Sequence, residues 1–368
     1  MIAAMAAPLS RRRALVLLGL GAATGLSACT ETTAPPAPTG PSGTAPATTA
    51  DDRTTPTAVE VPDTEVLQSA LSRTREVLAL TRAVRGAEGG LATLLTEAVA
   101  AHREQAEVLE RVLTAGGAAV PRSAADDATV TTRPSPGGDD TEATPAPGDD
   151  MGATAAPGDA GAATVDPEAE RARLAREVAD LAARLDEDAS PAALRTLAGV
   201  SGANLPMLLA LTAQRLALAD LLAERAPSPD LPGPRGRPAA ALLPAYRAAT
   251  YGLEVLAARA SGEERAALSE ALRWVRGSTD DLTVLAGAEA GPAPLGYGLD
   301  GPTGTEQERA ALASQLLAAL PAAVAVTAGD LSGDADGVHG CVLLAAGAVA
   351  HGRAWGLPFR GFPGMRVP

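Results

Sequence analysis

Three histidines and two cysteines are the only imidazole and thiol groups in the chain. Most metal and nucleophilic chemistry would therefore have to be built from His102, His339, His351, Cys29 and Cys341. Cys341 stands two residues beyond His339, which ends the run Asp336-Gly337-Val338-His339, and the two could act as a soft metal pair. Two ligands fall short of a closed site, and a buried free thiol in a helix is the simpler account of Cys341. Asp336 lies at a Gly/Asp-rich helix start, where a carboxylate caps backbone amides. His351, near the end of the last predicted helix, is placed to complement the helix dipole and the terminal carbonyls. No Ser/His/Asp or Cys/His set has a recognisable setting, and no glycine-rich loop follows a strand, so nucleophilic catalysis is not indicated. No catalytic, cofactor-binding or metal-ligating residue is assigned, and no cofactor is expected.

The most informative polar set is different in kind. His102 and Gln105 fall on the apolar stripe of one predicted helix and Gln214 on that of another, while Glu97 and Glu104 flank the first stripe without sharing its face. Facing inward together, the three would form one hydrogen-bonded layer. Such a layer can act as a register device, as a core Asn does in a coiled coil. Its functional version is a small-ligand or single-metal pocket with His102 as ligand or proton carrier.

The elements that must position these residues are helices. Apolar residues recur at alternating four and three spacings, as a helix facing a partner requires. One helix, about 63–86, carries Leu67, Leu71, Thr74, Leu78 and Thr81, and a second, about 91–115, carries Leu91, Leu95, Ala98, His102, Gln105, Leu109 and Val112 up to Gly116. A third, about 167–188, has Leu174, Val178, Leu181 and Leu185, and a fourth, about 204–225, has Met207, Leu211, Gln214, Leu218 and Leu221. Four such stripes share one core as a bundle over 63–225. It is interrupted by a low-complexity acidic insertion at 117–166, in which Ala143–Asp149 and Ala153–Asp159 are imperfect copies. After a Pro/Gly-rich linker at 226–239, the stripes resume around Leu243, Leu268, Leu312 and Val338 and predict a second four-helix bundle over 240–368. No period-two run of strand length survives between breakers, so the expected class is all-α, two antiparallel helical bundles.

Composition excludes one large class of function. Acidic residues number 44 against 30 basic ones, the formal net charge is -14, and only 2% of residues are aromatic, all after position 240. Nucleic-acid binding needs positive charge and usually stacking rings, and this chain has too little of either.

The N-terminus reads Arg11-Arg12-Arg13, an apolar run from Ala14 to Leu26, then Leu26-Ser27-Ala28-Cys29. A basic start, a short apolar run and small residues at a cleavage point make 1–28 a signal peptide. The Leu-Ser-Ala-Cys sequence resembles the lipobox of bacterial lipoproteins, and that resemblance implies diacylation of Cys29 after cleavage. Two acyl chains hold a domain stably at a membrane where one holds it reversibly. Cys341 would then have no disulfide partner in the chain. Ser10-Arg11-Arg12-Arg13-Ala14-Leu15 also resembles a twin-arginine export signal, and the general secretory route fits as well. The Thr/Pro/Ala/Ser/Gly stretch at 29–62 cannot bury a core and predicts a disordered tether of roughly 30 Å r.m.s. reach.

The segment 240–366 carries further family features. Tyr246 and Tyr251-Gly252, the Ser261-Gly262-Glu263-Glu264-Arg265 turn, the Pro-rich crossover around Tyr297, and the closing Ala354-Trp355-Gly356-Leu357-Pro358-Phe359 and Phe362-Pro363-Gly364 resemble a ferritin-like domain of unknown function carried by many actinobacterial lipoproteins. The near absence of Lys, Ile and Asn is in keeping with a GC-rich genome. The resemblance implies a ferritin-like four-helix bundle and no established reaction. Ferritin-like di-iron sites use inward Glu residues and Glu-x-x-His pairs, and no Glu-x-x-His occurs in this chain. The inward positions are Thr250, Leu253, Val275, Thr279 and Ala345, with Glu254 just off the stripe. The sequence thus points to an extracytoplasmic lipoprotein, anchored to the cell membrane through Cys29, that acts as a non-catalytic binding or envelope module, with another envelope protein as a candidate partner. The alternative is a metal-binding or oxidoreductase protein with a degenerate site.

Overall fold

In the computed structural model, residues 63–121, 166–227, 230–299 and 301–366 are described. The expected signal peptide, the tether, Cys29 and most of the acidic insertion lie outside them. Among the described residues the chain forms α-helices and short 3-10 turns with no strand, in agreement with the all-α expectation. The helices are α1 (Thr64–Ala83), α2 (Gly89–Ala115), α3 (Pro167–Asp186), α4 (Pro191–Ala198), α5 (Leu205–Leu222), α6 (Arg237–Arg259), α7 (Gly262–Ala286), α8 (Glu306–Ala328) and α9 (Ala335–Arg353).

Local chemistry fixes several of the ends. The Asp166 carboxylate accepts from the Glu168 amide at 2.9 Å with Pro167 next in line, which starts α3 with a filled cap and a pre-set φ. Thr305 and Glu308 form a reciprocal capping box at the start of α8. At the end of α2, the Ala118 amide bonds the Leu113 carbonyl and the Gly117 amide the Thr114 carbonyl, closing the helix with a left-handed residue at Gly117. Asp63, itself left-handed, accepts the Leu67 amide with its carbonyl but makes no side-chain cap in α1. Its carboxylate instead accepts from the Ser201 amide and hydroxyl and from Asn204, tying the start of α1 to the turn before α5. Burial raises the Asp63 carboxyl, but these hydrogen bonds outweigh it and hold it below its ordinary value.

The apolar stripes face inward much as their spacing predicts. Leu67, Leu71 and Leu78 of α1, Leu95, Ala98 and Leu109 of α2, and Leu181 and Leu185 of α3 are buried, whereas Leu174 and Val178 are only half-buried. The departure is α5. Sixteen of its 18 residues are buried, so it has no solvent face and runs as a central core helix. It is long and apolar enough to pass for a membrane span, but 89% of that window is inside the protein. It packs against α3 and α4 on one side and against α8 and α9 on the other.

This helix is shared between the two sets of helices. The described residues fall in one compact unit, and their core is continuous from Leu67 to Phe362. α6 to α9 do assemble as a helical bundle, with α6 against α7 and α8 and α9 against α8, but α9 also lies along α5. The stretch expected to act as a linker is part of the packing. Gly233 and Pro234 are buried, and a Cβ on Gly340 of α9 would stand 1.8 Å from the Gly233 carbonyl oxygen, so glycine is required for the two backbones to touch. After α9 the tail returns over α2, burying Trp355, Phe359 and Phe362, while Arg353 holds Glu97 of α2 at 2.6 Å.

Candidate functional site

Helical spacing puts His102 and Gln105 one turn apart on the buried face of α2, and α5 brings Gln214 opposite them. All three are completely buried. The His102 Nδ1 and Gln105 Oε1 are 3.1 Å apart, and since Oε1 can only accept, Nδ1 carries the proton. Gln105 Nε2 donates both to Gln214 Oε1 and to the Gly361 carbonyl, each at 2.8 Å. The expected layer therefore forms, and the C-terminal tail supplies a fourth member. Gly361 sits so close to α2 that a Cβ would meet the Ala101 carbonyl at 2.8 Å, and its amide donates to Glu104 at 2.9 Å. His102 Nε2 and Gln214 Nε2 have no partner among the described residues.

Electrostatics keep the imidazole neutral. Burial, together with the nearby Arg215 charge, pulls the His102 pKa down to about 4 against smaller opposing contributions from Gln105 and Asp188. The layer is thus an uncharged amide and imidazole set presenting nothing to solvent. Its geometry is that of a register device joining α2, α5 and the tail.

Next to it lies a group that the helical spacing alone did not single out. Arg215 is the only charged residue between Leu205 and Ala219, and its side chain is just 3% exposed. It donates to Asp188 at 2.7 Å and to the Thr74 hydroxyl at 2.5 Å, while its Nε has no acceptor among the described residues. Asp188, on the 3-10 turn Glu187–Ala189, also accepts from Arg73 Nε at 3.0 Å. Two guanidinium groups thus share one carboxylate. A lone Arg inside an apolar helix was the available signal. Its partner, on a short turn outside the stripes, left none.

The centre of the C-terminal half is uncharged. Thr250 of α6 and Thr279 of α7 face each other, hydroxyl to hydroxyl, at 3.0 Å; with one proton each, one hydroxyl donates across to the other, which donates back to the carbonyl four residues earlier in its own helix. Leu253, Val275 and Ala345 are buried around them as expected, and Glu254 is exposed and paired with Arg276. Two neutral hydroxyls are not the carboxylate and imidazole donors that a di-iron centre requires, so this donor set does not fit one. Among the described residues, no three His, Cys, Asp or Glu side chains gather as a metal-holding group.

The remaining candidates separate. Cys341 is completely buried, and burial pushes its thiol well up, away from the reactive thiolate. His339 is half-buried, with its pKa lowered by burial against a smaller effect of Asp336. Helix α9 is capped by Asp334, whose carboxylate accepts from the Gly337 amide at 2.9 Å, and not by Asp336. His351 does lie in the last turn of α9, but burial lowers its pKa and its ring packs against Trp274 with centroids 5.1 Å apart. It is a neutral aromatic neighbour at pH 7, so the expected charge–dipole role does not apply.

Comparison with protein-family models, with curated proteins and with solved structures found no match to this chain.

Proposed function

We propose that the protein is an extracytoplasmic lipoprotein, acylated on Cys29, whose helical body is a non-catalytic binding or cell-envelope module with a ferritin-like C-terminal half that lacks di-iron ligands. The observation that carries the location is Leu26-Ser27-Ala28-Cys29 directly after a basic, then apolar, N-terminus. The neutral Thr250–Thr279 contact, where a metal enzyme of this architecture would need carboxylates, supports a non-catalytic body. The partners on this reading are the membrane, through the lipid, and an envelope protein through the helix faces. Replacing Cys29 by Ser tests it. The wild type is expected in the membrane fraction and Cys29→Ser in the soluble extracytoplasmic fraction, whereas a variant that stays with the membrane would refute the anchor.

A further inference from the structure

The ion cluster at Arg215 opens on one side into a cleft of about 260 Å³ between α1, α4 and α5. Most of the cleft wall is apolar, formed by Val66, Leu197, Leu208 and Leu211, and Arg73, Asp188 and Arg215 are its only charged residues. At the wall, two guanidinium groups therefore face one carboxylate. The other acids of the network, Glu76 and Glu187, are exposed on its outer side and do not line the cleft. Arg73 has all three nitrogens engaged, with Asp188, Glu76, Glu187 and the Arg184 carbonyl. Arg215 does not, because its buried Nε lacks an acceptor among the described residues. Burial also disfavours its charge by more than Asp188 restores.

We propose that this cleft binds a small carboxylate with an apolar body, its head at the Arg73–Arg215 end and its tail along Leu208 and Leu211. The charge at the wall selects an anion over a cation, the apolar wall selects a tail over a bare ion, and the modest volume selects a ligand smaller than most cofactors. This assignment gives a ligand class to the binding reading above and rests on it only for its physiological setting.

The probe is octanoate, titrated calorimetrically into the full-length chain carrying Cys29→Ser, so that no detergent competes for the cleft. Octylamine reverses the head charge and acetate removes the tail. Octanoate is expected to saturate one site with at least about tenfold higher affinity than either control. Ser69→Trp fills the cleft from its exposed rim without touching the ion network, and should weaken octanoate at least about tenfold while leaving the thermal midpoint of the free protein unchanged. Equal binding of octylamine, full binding by Ser69→Trp, or no saturable octanoate site would each overturn the proposal and leave the arginine pair a purely structural device. Because Cys29 is Ser in every arm, failure of the anchor and failure of the cleft are read separately.

Discussion

The two halves of the helical body solve the same packing problem with different core chemistry. Among α1 to α5, the core holds a buried Arg–Asp pair, a hydroxyl, an imidazole and two amides, bonded across helices far apart in sequence. Gln105 reaches Gln214 and Gly361, and Arg215 reaches Asp188 and Thr74. Among α6 to α9, the fully buried polar groups are hydroxyls and ring nitrogens; Thr250 meets Thr279 in the core, and the charged pair Arg309–Glu264 joins α8 to α7 nearer the surface. Apolar contact is non-directional and does not by itself choose one helix register over another. Directional groups do, and they sit in the half where α2 and α3 are separated by a long insertion. In the other half, α6 leads into α7 through a tight turn at Ala260-Ser261, which already sets that pair. Polar burial is thus concentrated where the connections supply least guidance.

The sharpest way to break this contrast is to strand the buried cation. Asp188→Ala removes the carboxylate that Arg215 and Arg73 share, and leaving an uncompensated buried charge costs about 3–5 kcal/mol. Urea unfolding should show a loss of that size. If the pair serves register more than stability, an apolar replacement of both Asp188 and Arg215 should recover most of it.

A second effect of similar order is pH-dependent. His102 binds its proton at about 4 in the folded chain and near 6.5 when unfolded. Between those values the unfolded state holds more protons, so the contribution is complete above pH 6.5 and falls as pH drops toward 4. Its full size is on the order of 3 kcal/mol. His339 and His351 shift in the same direction, so the test is a difference. Stability measured from pH 7 to 5 should fall less steeply in His102→Gln than in the wild type, and equal slopes would remove His102 from the account.

How much of this was legible in the sequence depends on whether a feature is local. The stripes of α1 and α2, and the inward placement of His102, Gln105 and Gln214, follow from helical period alone. The Asp166 and Thr305 caps are also local signals. By contrast, α5 shows only one stripe when read as a bundle helix. That its other faces are also covered, by α8 and α9, depends on packing between distant segments. Gly361 enters the polar layer through a backbone carbonyl, which no residue type announces. Asp188 sits on a short turn after α3 and its partners lie on other helices, so nothing local marks it. The contact between Gly233 and α9 was hidden for the same reason, since Pro/Gly composition marks a turn but does not say what packs against it.

The smallest predicted effect completes the contrast. Thr279→Val replaces a neutral hydroxyl by a methyl of the same shape, costing about 1 kcal/mol. A loss as large as that of Asp188→Ala would mean that the C-terminal half also depends on its polar contact.

The central claim, that this half is a bundle without metal chemistry, is tested most directly by elemental analysis and an absorption spectrum of the full chain purified without chelator. The account predicts a colourless protein with iron, manganese and zinc far below one atom per chain. About one or two tightly held atoms per chain, lost in a His339→Ala or His102→Ala variant, would contradict it and place a metal centre where the donor set predicts none.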